Sequence, residues 1–164
     1  MDWLEFSLAL AAFLAAHVIP ARWRGPLVAR FGRPGYFTVY GLVSLGLLYW
    51  LIVAAGRAPW VALWPQAGWM RWLVNAAMPV ALALALAGGM GGLMAGFALW
   101  AGAHLLANGD LAHALLFGLL LGYALFGLGR SRFRWRPGRL VAVPPVWAAL
   151  ICLHPLLIGV SPLP

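Results

Sequence analysis

Between Tyr36 and Ala55 the chain reads YFTVYGLVSLGLLYWLIVAA, a stretch without a single charged residue. At about 1.5 Å per residue in a helix, such a run spans roughly the hydrocarbon core of a bilayer. Inside lipid every backbone N–H and C=O must be bonded within the protein, so the run has to be helical. Five further apolar runs can be drawn, near Trp3–Ile19, Trp72–Ala87, Leu93–Ala107, Leu111–Leu128 and Val141–Val160. Charged residues make up 9% of the chain, where a soluble domain carries about a quarter. There is no polar surface to wrap around these runs. The expected fold is all-α: a polytopic transmembrane helical bundle of about six spans, with residues 1–164 as one domain in the lipid bilayer. The leading residues of the first run include Asp2 and Glu5 in place of a basic leader. That run therefore reads as a span and not as a cleaved signal peptide.

All 11 basic residues are arginines, and their positions predict orientation. Arg22, Arg24, Arg30 and Arg33 follow the first run; Arg130, Arg132, Arg134, Arg136 and Arg139 follow the fifth. Only Arg57 and Arg71 lie elsewhere. Clusters between hydrophobic runs are what the positive-inside rule produces, and they remove the need for a nucleic-acid partner. Both clusters should face the cytoplasm, which requires an even number of crossings between them. The second to fifth runs supply four, provided that the chain turns back at GGMGG, Gly88 to Gly92. Fusing the runs on either side would give a helix of about 35 residues, too long for the membrane. Both termini then lie on the periplasmic side of a bacterial inner membrane. Gly88, Gly92 and Gly96, and again Gly118 and Gly122, recur at four-residue spacing and predict close helix contacts. Trp60, Trp64, Trp69 and Trp72 mark an interfacial belt. The alternating RSRFRWRPGR (Arg130 to Arg139) has the chemistry to hold lipid phosphates, although its role as orienting charge already accounts for it.

Ionisable groups at membrane depth are costly and tend to be functional. His17 falls near the inner end of the first run, His104 towards the outer end of the fourth, and His154 in the outer half of the sixth. His113 follows the turn Asn108-Gly109-Asp110, where Asp110 suits a helix N-cap and a pairing with His113. His104 stands one turn inside its run, with Trp100 and Asn108 on the same helical face. Two roles are open to it: a hydrogen bond between helices, with Asn108 orienting one ring nitrogen, or ligation of a cofactor. Neutral imidazoles in an apolar bundle are what a haem b site requires. No Cys-x-x-Cys-His occurs, which excludes covalent c-type haem. Cys152, the one cysteine, falls within a run and has no disulfide partner in the chain. Paired carboxylates, a phosphate-binding loop, a zinc signature and a chain of buried acids are all missing.

The stretch AAHVIPARWRGPLVARFGRPGYFTVYGLVSLGLLYWL (Ala15 to Leu51) resembles the N-terminal half of NnrU-family membrane proteins. FALWAGAHLLANGDLAHALLFG (Phe97 to Gly118) is similar to the family's later signature of Trp, Ala-His-Leu, Asn-Gly-Asp and Leu-Phe-Gly. The resemblance runs over nearly the whole chain. It implies a link to denitrification, through the production or activity of nitrite and nitric oxide reductases or their maturation machinery. It also implies kinship with zeta-carotene isomerase, a haem b enzyme with histidine ligands. On that basis His17 and His104 are the expected haem b ligands. Many relatives carry Arg-His-Pro where this chain has Met90, Gly91 and Gly92, so one family histidine is absent here. Met90 or Met94 would be the substitutes available as axial ligand. The competing expectation is a membrane assembly or small-molecule transport factor without a cofactor.

Overall fold

The computed structural model describes residues 3–163, apart from the side chains of residues 18–22. Asp2 and the side chain of Arg22 thus fall outside the described residues. The chain divides into two compact units, Met1–Trp60 and Val61–Pro164.

The first unit is one long helical element, α1 (Trp3–Arg57), broken at Gly32 with φ 69° and ψ 163°. That backbone conformation is open to glycine and to essentially no other residue. The arms on either side run antiparallel. Glu5 near the start meets Arg57 at the end, 3.4 Å apart, and the His17 ring lies 5.8 Å from that of Tyr40. Phe6, Ala9 and Phe13, spaced to share one helical face, are buried, as are Leu51, Ala54 and Ala55. The arginine-rich connection is helical on both sides of Gly32, so the two arms meet at a kink and not across a long loop. Arginine is a good helix former, and here its guanidinium groups find aromatic faces: Arg24 over Phe37 and Arg30 over Phe31.

The second unit holds α2 (Gly68–Ala87), α3 (Gly89–Ala107) and α4 (Leu111–Leu128), then a 3-10 turn (Pro137–Ala142) and α5 (Val143–Ile158). GGMGG is a true hairpin, as the arginine argument requires. The chain reverses at Gly88 and Gly89, the latter with φ 65°. A Cβ on Gly92 would overlap the Leu84 carbonyl oxygen, and one on Gly96 the Ala81 carbonyl oxygen. The α2 and α3 backbones therefore touch along the glycine face, the packing that small residues permit. The second glycine pair does not behave this way: Gly118 and Gly122 have nothing within 4 Å. That part of α4 faces outward, and the four-residue spacing there marks no helix contact.

At the other end, Asn108-Gly109-Asp110 turns α3 into α4. Residues 61–64 cross over that turn, with Leu63 N–H donating to the Gly109 carbonyl at 2.7 Å and Leu111 N–H to that of Val61 at 2.9 Å. The Trp64 indole N–H donates to the Leu106 carbonyl at 3.1 Å. Trp64 is thus tied to the end of α3, whereas Trp60, Trp69 and Trp72 are exposed as a headgroup belt would be. Along the outside of α2 lies α5, and the Asn75 side-chain amide on α2 donates to the Pro162 carbonyl beyond the end of α5 at 2.6 Å. Five helical stretches are long and apolar enough to cross a membrane: Trp23–Arg57, Gly68–Ala87, Gly89–Ala107, Leu111–Leu128 and Pro137–Ile158. Trp3–His17 is a shorter apolar sixth. Large apolar side chains line the outer surface, up to Val141 at 80% exposure. That inversion of the soluble pattern makes the protein a helical membrane bundle.

Candidate functional site

His104 sits in the last turn of α3, where its Nδ1–H donates to the Trp100 carbonyl four residues earlier at 2.9 Å. Its ring lies 5.2 Å from that of Trp100 and 5.2 Å from Phe117 on α4. Trp100 in turn stacks on Phe97, and Phe117 is buried. The imidazole is thus clasped by aromatic rings between two helices. Since Nδ1 carries the proton, the neutral ring presents the lone pair of Nε2.

Asn108 does not orient that ring, contrary to the sequence expectation. Its amide donates instead to the backbone carbonyl of His104 at 2.8 Å. The position explains the difference. Asn108 caps α3 at its C-terminus, where the last carbonyls have no partner within the helix, and Trp100 already holds the ring proton.

His113 has the structural role its spacing suggests. Asp110 is the N-cap of α4: one carboxylate oxygen accepts from the His113 backbone N–H at 3.1 Å and the other from its ring Nδ1–H at 2.7 Å. The carboxylate is buried and fully engaged. His154 lies near the exposed end of α5, with its Nδ1–H donating to the Val160 carbonyl at 2.7 Å.

His17 belongs to the first unit and repeats the device seen at His104. Its Nδ1–H donates to the carbonyl of Phe13, four residues earlier, at 2.8 Å. The ring lies 4.3 Å from Phe13. In both places a backbone carbonyl one turn earlier fixes the tautomer and the ring plane. That is the outer-shell support a metal-ligating histidine usually has.

Among the described residues no three His, Cys, Asp or Glu side chains gather to hold a metal ion. A metal bound by protein groups alone has no site there. Haem is different, since the porphyrin supplies four ligands and the protein only the axial ones. His104 and His17 each offer one imidazole of the kind an axial ligand needs. Of the methionines considered as substitutes, Met90 is 59% exposed and the Met94 thioether packs against Gly127. An open apolar groove of about 440 Å³, lined by Trp64, Gly102, Leu105 and Leu106, lies on the face of α3 turned away from His104.

One feature escaped the sequence reading. Residues after α4 fold back on the glycine hairpin and bond to it. Gly91 N–H donates to the Arg132 carbonyl at 3.1 Å, Arg134 N–H to that of Gly88 at 3.0 Å, and Arg136 N–H to that of Ala87 at 2.7 Å. A Cβ on Gly91 would come within 2.8 Å of the Arg132 carbonyl carbon. Gly91 is thus the floor on which the arginine segment lies. The surplus of glycines in GGMGG was the available signal, because two suffice for the helix contact.

A family model described as NnrU protein matches residues 5–162. No curated protein and no solved structure matches the chain.

Proposed function

The chain belongs to the NnrU family, and from that premise we propose an inner-membrane protein that serves denitrification and binds haem b, with His104 in the second unit and His17 in the first each a candidate axial ligand in its own right. The denitrification role is the one its resemblance implies: support of the production or activity of nitrite and nitric oxide reductases, with a reductase or its maturation machinery as partner. The observation that carries the haem reading is the shared ring geometry, Nδ1–H to the i−4 carbonyl at 2.9 Å and 2.8 Å. At His104 it makes Nε2 the nitrogen with a lone pair, beside the rings of Trp100 and Phe117. Bound haem would supply one-electron or Lewis-acid chemistry. The protein's own part is to fix each imidazole's tautomer and plane through a backbone carbonyl and, at His104, to exclude water with Trp100 and Phe117.

The orientation follows the arginines. Both basic segments face the cytoplasm and both termini the periplasm. The contact of Glu5 with Arg57 supports this, since it places the first turn of α1 level with its last.

Purified full-length protein, expressed with haem in excess, should show a Soret band. His104→Ala should abolish or strongly shift it, and His113→Ala should leave it nearly intact. A wild-type preparation without haem would refute the cofactor. The protein would then read as an assembly or small-molecule transport factor, and His104→Ala would cost only about 1 kcal/mol of stability.

A further inference from the structure

We propose that the segment 130–136 is a built docking site for the phosphate of anionic phospholipid headgroups on the arginine side of the second unit. The segment leaves the end of one membrane-length helix and enters the next, so it lies where headgroups are. Three backbone hydrogen bonds fix Arg132, Arg134 and Arg136 to the glycine hairpin. The bonded residues alternate in sequence with Phe133 and Trp135. All five side chains are exposed, and the two aromatics are 54% and 53% accessible. Arg130 adds a fourth cation beside them, held over the Phe126 ring at 3.7 Å.

Among the described residues of the second unit no carboxylate lies beside these arginines. The one acid of the second unit is Asp110, at the opposite end of α4 and engaged by His113. Arginines carried on a pinned backbone without counter-charge from the second unit, interleaved with exposed aromatics, match phosphate at a membrane surface. Arginine binds phosphate through a planar fork, which lysine cannot reproduce. Orienting charge alone explains none of the order. The positive-inside rule counts charges in a loop and asks for neither the pinned backbone nor the alternation.

The test is native mass spectrometry of the full chain in detergent, titrated with phosphatidylglycerol or phosphatidylcholine. Wild type should prefer phosphatidylglycerol. The triple variant Arg132→Gln/Arg134→Gln/Arg136→Gln should lose affinity by about fivefold per arginine, while Arg24→Gln/Arg30→Gln should keep the preference. A triple lysine variant, with charge and orientation conserved, should fall several-fold below wild type. It decides the question if the glutamine variant does not fold. Inorganic phosphate at millimolar concentration should leave lipid binding unchanged; displacement of the lipid would make free phosphate the ligand and overturn the assignment. Equal binding of the two lipids by wild type would overturn it too. So would full preference in the glutamine triple, or a lysine triple indistinguishable from wild type.

Discussion

The contact between α2 and α3 rests on two glycines, and adding one carbon to either should loosen it. In Gly92→Ala the new methyl meets the Leu84 carbonyl oxygen, and in Gly96→Ala that of Ala81. Both obstacles are backbone, so no rotamer change relieves them and the helices must separate. Overpacking of this kind costs about 1–3 kcal/mol. Alanine returns up to about 1 kcal/mol through its better helix propensity. The expected net loss is about 1–2 kcal/mol per site, a fall in midpoint of roughly 2–8 °C for a chain of this size. The two sites lie one turn apart and demand the same separation, so the double variant should cost less than the two losses together. Gly118→Ala and Gly122→Ala are the controls, since neither glycine has anything within 4 Å; both should be neutral or slightly stabilising. Thermal unfolding in detergent, followed by circular dichroism, measures all five. If Gly92→Ala and Gly96→Ala melt with Gly118→Ala, the helices do not depend on backbone contact and the reasoning is wrong.

Asp110→Ala removes both the cap of α4 and the partner of the His113 ring. It should cost about 1–2 kcal/mol in the same melt, with Asp110→Asn recovering most of the cap. Gly91→Ala should lift the arginine segment off the hairpin without breaking α2 from α3, read as faster trypsin cleavage after Arg134 at an unchanged melting midpoint. In a Cys152→Ser background, cysteines introduced at Gly25 and Ser131 should be labelled from one side of the membrane and one at Ala58 from the other. Labelling of residues 25 and 131 from opposite sides would end the even-crossing argument.

Much of this architecture was legible because lipid leaves the chain few choices. Uncharged runs such as Tyr36 to Ala55 must be helices, and the parity of arginine clusters forced a turn at GGMGG that the length of the fused runs also demanded. Spacing found the Asp110 cap as well, since an acid three residues before His113 can reach both its N–H and its ring. Spacing could not tell Gly92 and Gly96 from Gly118 and Gly122. All four carry the same pattern, and only the approach of α2 separates a contact face from a lipid face. The same limit explains Asn108. One turn from His104 it can reach the ring or the carbonyl, and the Trp100 carbonyl decides by taking the ring proton first. Trp64 belongs with these cases, because an indole at the interface looks the same in sequence whether it meets a headgroup or the Leu106 carbonyl. The arginine segment shows the converse. Its alternation was visible, but orienting charge explained it until the backbone bonds to Ala87, Gly88 and Gly91 gave the order a physical cause. A pattern that a general rule explains in number can still be explained by structure in arrangement. In this chain the arrangement is what a phosphate-binding surface needs.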